Sequence, residues 1–130
     1  MNIGELAKKT GCTVEVVRFY ESEGILPPPQ RRENGYRNYG NEHLQRLLFI
    51  RRCRELDMPL KDAAKLLGFA EQPQSHCEEV NAIVDVQIKK TQAKLNDIKA
   101  LQMQLKLLRR QCNGEAVECG ILQELTHRIQ

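Results

Sequence analysis

The chain has 130 residues, 41% of them hydrophobic and 28% charged, with no Trp and a formal net charge of +3. Such a length makes one domain, or a small domain carrying an oligomerisation element, and the composition is that of a globular protein. Residues 1–10, MNIGELAKKT, lack an apolar signal-peptide core, and no apolar run approaches the roughly 18 residues of a membrane span, so a cytoplasmic location is expected.

The first third reads as short helices with clear punctuation. Asn2 and Glu5 form a capping pair for a helix over Ile3 to Lys9, broken by Gly11. Thr13 caps a second helix from Val14 to Glu23, closed by Gly24. Two short helices around a tight Gly-containing turn make a helix-turn-helix candidate. Residues 27–40, PPPQRRENGYRNYG, cannot be helical: three prolines block it, and Asn34-Gly35 is a strong hairpin signal. A small basic, aromatic hairpin in that position is a wing. Asn41 is expected to cap a third helix through Leu56, with Leu44, Leu47, Leu48 and Ile50 facing inward and His43 at the surface. Pro59 starts a fourth helix, ending at Gly68, and the domain over 1–68 is followed by a linker over 69–79.

Charge is uneven along the chain. Residues 1–67 carry 12 Lys+Arg against 9 Asp+Glu, while residues 68–130 carry 8 against 8. Between Arg31 and Arg54, seven arginines face only Glu33 and Glu42. An exposed cluster of that kind suits an anionic polymer, and a solvated helix face is the alternative.

From Val80 to Gln111 there is no Gly or Pro. That is a helix of about 48 Å, too long to bury its apolar face inside so small a monomer. Its partner must be a second copy. In an antiparallel pairing of the stripe Val84, Ile88, Thr91, Leu95, Ile98, Leu101 and Leu105, Val84 meets Leu105 of the partner and Ile88 meets its Leu101. The same register sets Cys77 beside Cys112 of the partner. A parallel pairing would leave the two about 50 Å apart, by the same helix rise.

Five cysteines divide by neighbourhood. Cys12 sits beside Gly11 and Cys53 inside an apolar-periodic helix, so both read as structural. Cys77, Cys112 and Cys119 lie in polar surroundings at helix ends, the last two framing CNGEAVEC within residues 112–130, a loop followed by a short helix. Three thiolates drawn from two chains would favour soft ions, Cd(II), Pb(II), Hg(II) and Zn(II), over Mg(II) or Ca(II). Tetrahedral zinc needs a fourth ligand, for which His76, Glu78 or water is available. A redox pair of Cys112 and Cys119, or a metal buffer, remains the alternative. An iron–sulfur cluster is excluded by the spacing. His127 reads as a helix-surface residue.

The segments IGELAKKTGCTVEVVRFYESEGILPPP, ENGYRNYG and LLFIRRCRELDMPL resemble the winged helix-turn-helix DNA-binding domain of the MerR family of transcriptional regulators. The likeness continues through the long helix and the cysteine loop. SHCEEVN and RRQCNGEAVECGILQEL resemble the family's cadmium- and lead-responsive branch; its mercury and zinc sensors typically space the last two cysteines further apart. The resemblance implies a mainly α fold: a winged helix-turn-helix domain, an antiparallel coiled-coil dimerisation helix over 80–111 and a short metal-binding loop. It implies a homodimeric regulator and not an enzyme, seated on an overlong promoter spacer whose distortion aligns the RNA polymerase contact elements. Arg18, Tyr20, Tyr36 and Arg37 match the family's DNA contacts. Thr13, Val14 and Glu15, at the exposed start of the second helix, are placed to reach base edges, and Arg31 and Arg54 to grip phosphate. Copper-type members lack a cysteine at the position of Cys77, which argues against Cu(I). Without a histidine-rich tail, no second metal site is expected.

Overall fold

The computed structural model describes residues 1–31, 33, 35–72, 76–112 and 119–129, with residues 128 and 129 described by backbone alone. Six helices and one two-stranded sheet form among them: α1 (Ile3–Thr10), α2 (Val14–Ser22), β1 (Gln30–Arg31), β2 (Arg37–Asn38), α3 (Asn41–Glu55), α4 (Leu60–Glu71), α5 (Cys77–Arg109) and α6 (Gly120–Ile129). They fall into two units, Met1–Val84 and Asp85–Gln130.

In the first unit the local signals work as expected. The Asn2 side chain accepts the Glu5 N–H at 2.8 Å and donates to the Glu5 carboxylate at 3.0 Å, satisfying an otherwise orphaned helix amide. Thr13 Oγ1 accepts the Val16 N–H at 3.2 Å. Gly11 ends α1 at φ +71°, and a Cβ there would also collide with the Arg51 guanidinium. Glycine is required twice over. In the wing, Gln30 pairs with Asn38 and Arg31 with Arg37, antiparallel, with Gly35 at φ +83°. Asn34 and Arg32 lie outside the described residues. Met1 continues the pairing, since its ammonium donates to Tyr39 O at 2.8 Å and its carbonyl accepts the Tyr39 N–H at 2.8 Å.

Two clusters make the core. Leu6, Ala7, Val17, Leu26, Tyr39 and Leu47 form the first; Ile50, Cys53, Met58, Ala63 and Leu67 form the second. Tyr20 packs against both.

Several boundaries differ from the sequence reading. The N-cap of α3 is Gly40, not Asn41, and it is His43 that caps, its Nδ1 accepting the Gly40 N–H at 3.1 Å. His43 is buried rather than on the surface, because positions 43, 47 and 50 share one face at helical spacing. Leu44 and Leu48 are only half-buried. α4 continues through Gly68 to Glu71, where an ion pair with Arg46 holds its last turn. Glycine weakens a helix but stops it only where the chain needs a left-handed residue. α5 begins at Cys77, three residues before the expected start.

In the second unit the apolar row of α5 is bare: Ile88, Leu95, Ile98, Leu101 and Leu105 are 44–63% exposed. Gly120 opens α6 so close to the Gln111 carbonyl that a Cβ would collide with it. α6 then lines a groove of about 590 Å³ with Leu101, Leu105, Leu108 and Leu125 on its walls.

Leu47, fully buried, sits where α3 meets α1 and the wing. Leu47→Ala should lower stability by about 2–5 kcal/mol, read as a fall in the urea midpoint at unchanged m value.

Candidate functional site

Between α2 and the wing lies an open groove of about 730 Å³, lined by Ile3, Arg18, Glu21, Ser22, Pro28, Pro29, Arg31 and Arg37. It gathers three of the arginines singled out from the sequence. Glu21, at the far end of α2, accepts from Arg37 Nη1 at 2.8 Å and from the Tyr39 hydroxyl at 3.2 Å. The Tyr39 hydrogen bond, and after it the Glu21 charge, raises the Arg37 pKa above its ordinary value. Burial, partly offset by Arg37, raises that of Tyr39. This network ties the second helix to the second strand of the wing.

The remaining DNA-contact expectations separate by exposure. Thr13, Glu15, Arg18, Arg31, Tyr36 and Arg37 are exposed. Val14 is half-buried, packed against the first core cluster. Tyr20 is also half-buried, and desolvation raises its phenol pKa. The exposed aromatic of α2 is its neighbour Phe19, which the sequence reading passed over. Helical spacing already placed Phe19 with Glu15 and Arg18 opposite Val17. Arg54, expected at phosphate, donates from Nη1 to the Met58 carbonyl at 2.9 Å and braces the turn between α3 and α4. Arg46 and Arg51 likewise donate to the carbonyls of Ile25, at 2.6 Å, and Thr10, at 2.7 Å. Of the cluster's arginines, Arg46, Arg51 and Arg54 thus bind carbonyls of the fold, while Arg31 and Arg37 line the groove.

All five thiols are free. Cys12 packs on the first cluster and Cys53 in the second, as their neighbourhoods implied. Cys77 is exposed at the first residue of α5, Cys112 is exposed beyond its last turn, and Cys119 is half-buried just before α6. Residues 113–118, the loop between Cys112 and Cys119, lie outside the described residues. Among the described residues of one chain, no three His, Cys, Asp or Glu side chains are grouped to hold an ion. His76 stacks on Phe69 with ring centroids 4.6 Å apart, and its Nδ1 lies 3.6 Å from Glu79. The donor set itself, two exposed thiols and one half-buried, is of the kind that suits a soft ion.

Residues 1–69 match the MerR HTH family regulatory protein pattern, and residues 44–108 the one described as MerR, DNA binding. The chain belongs to the MerR family. A solved MerR-family structure, the transcription regulator PbrR691 from Ralstonia metallidurans CH34 in complex with lead(II), is 51% identical over 96% of this chain and 98% of its own, with a TM-score of 0.80. The HTH-type transcriptional regulator ZntR homolog of Haemophilus influenzae is 43% identical over 109 residues, 84% of this chain and 81% of its own. MerR from Bacillus megaterium MB1, solved with mercury(II), is 33% identical over 97% of this chain and 99% of its own, with a TM-score of 0.75.

The thiols make the division measurable. Burial raises the Cys53 pKa, which removes thiolate, the reactive form, at neutral pH. Site-resolved mass spectrometry of alkylation should show Cys77 and Cys112 labelled first and Cys53 only on unfolding.

Proposed function

We propose that this chain is a metal-responsive transcriptional regulator that binds promoter DNA as a homodimer in the cytoplasm. Its inducer is a soft divalent ion, Cd(II) or Pb(II) foremost and Zn(II) or Hg(II) after them. Cys77 of one subunit, with Cys112 and Cys119 of the other, holds the ion. The observation that carries this reading is the bare apolar row on a 33-residue helix whose first residue, and the segment beyond its last, carry free thiols.

Covering each of those side chains contributes about 1 kcal/mol or more, and a second copy of the same helix is the matching surface. An antiparallel partner sets each helix start against the other's end, which makes one thiol trio at either end of the pair. A bound ion would supply a thiolate bridge between subunits there. The chain's own residues do the rest. Arg18, Arg31 and Arg37 present charge to phosphate from one groove, and Thr13 and Glu15 open α2 toward base edges. Phosphate contacts fix register, so the response assigned to this dimer is distortion of an overlong promoter spacer, read by RNA polymerase, rather than release of DNA. The lead-bound relative at 51% identity supports the soft-ion assignment.

Titration with Cd(II), followed by the thiolate charge-transfer absorption, should saturate at one ion per three of these thiols, and Cys77→Ser alone should abolish that saturation. A band indifferent to Cys77→Ser sinks the two-chain site. In DNA binding, Arg18→Ala and Arg37→Ala should each weaken affinity and reduce the salt slope by about 1, leaving metal stoichiometry unchanged.

A further inference from the structure

The wing leaves the trailing turn of α2 at Pro27 and rejoins the helices at Gly40, and one side chain holds both ends. His43 is buried, 7% exposed, at the start of α3. Its Nδ1 accepts the Gly40 N–H at 3.1 Å, and its Nε2 lies 2.9 Å from the Pro27 carbonyl. A ring that accepts at Nδ1 carries its proton on Nε2, so a single neutral tautomer satisfies both partners. Tyr39, edge-on to the ring at 5.2 Å, is itself held by Glu21 of α2.

We propose that His43 is a positioning residue for nucleic-acid binding: it closes the base of the wing so that Arg31 and Arg37 stand in one groove with Arg18. The proposal rests on the reading that this groove meets DNA. Fixing both ends of the Pro27–Gly40 loop removes most of the conformations that would carry Arg31 and Arg37 away from α2. Helix capping alone would need only the Gly40 bond. The Pro27 bond adds nothing to α3, since Pro27 belongs to the other end of the wing. Histidine is also the side chain that spans both partners. Asparagine places an acceptor near the Nδ1 position and reaches only Gly40; glutamine places a donor near the Nε2 position and reaches only Pro27.

The test compares full-length wild type, His43→Asn and His43→Gln. A random-sequence duplex is the probe, because phosphate gripping does not depend on sequence. Its binding is followed by fluorescence anisotropy over a range of salt, with amide exchange of residues 28–39 measured alongside. His43→Asn should keep the protection of the α3 amides and the Cd(II) stoichiometry. Its wing amides should exchange faster, and duplex affinity should fall about three- to ten-fold, the loss of one hydrogen bond. His43→Gln should also loosen the wing, from its Gly40 end. Wild-type affinity and wing exchange in His43→Asn would reduce His43 to a helix cap and overturn the proposal. Nitrogen NMR of the wild-type imidazole is independent of how the variants fold: an Nε2–H tautomer supports the clasp, and an Nδ1–H tautomer overturns it. Failure of the wild type to bind any duplex sinks the DNA reading instead, while leaving the tautomer and exchange results to judge the clasp.

Discussion

Helix ends leave carbonyls without partners, and in the first unit the side chains of α3 supply them. Arg51 reaches the last carbonyl of α1 at Thr10, Arg46 and His43 reach those of Ile25 and Pro27 after α2, and Arg54 reaches Met58 in its own trailing turn. A buried or half-buried carbonyl without a donor costs roughly 1–3 kcal/mol, so each contact stabilises a turn that has few apolar residues of its own. α3 also carries the residues that join the two core clusters, Leu47 in one and Ile50 in the next. The helix-turn-helix and the wing are therefore arranged around a single element. Gly11 lies against the same contact, the Arg51 guanidinium sitting where a Cβ would stand.

The arrangement divides the positive charge. Arginines spent on carbonyls remain charged and contribute to the surrounding field, but their forks have fixed partners. Arg18 and Arg31 have exposed side chains facing the groove. Arg37 is intermediate: it lies in the groove and shares Glu21 with Tyr39. An exposed pair of that kind is worth little to stability and is screened by salt. Its consequence is geometric, since it points the guanidinium before any anion arrives.

α5 follows a different rule. Residues 88–107 are all exposed, and the Ile and Leu side chains among them recur at helical spacing. A stripe of that regularity asks for a helix with the same repeat. The free thiols stand at its start and just past its end, so in the proposed dimer the contact that covers the stripe also sets which sulfurs meet. Sensing and dimerisation would share one surface.

Much of this was legible in the sequence because it depends on neighbours a few residues apart. Asn2 with Glu5, Thr13 with Val16, Gly11 in its left-handed turn, the hairpin around Gly35 and the uninterrupted run of α5 are all set by backbone amides and torsions within one turn. What the tertiary structure alone decided is the fate of side chains with distant partners. Arg51 and Thr10 are 41 residues apart in sequence, and His43 and Pro27 are 16 apart. No local pattern shows that Arg54 braces a turn while Arg18 faces a groove, or that α4 passes through Gly68 to meet Arg46. The type of a residue states which bonds it can make, and the packing of helices far apart in the chain determines which of those bonds it makes.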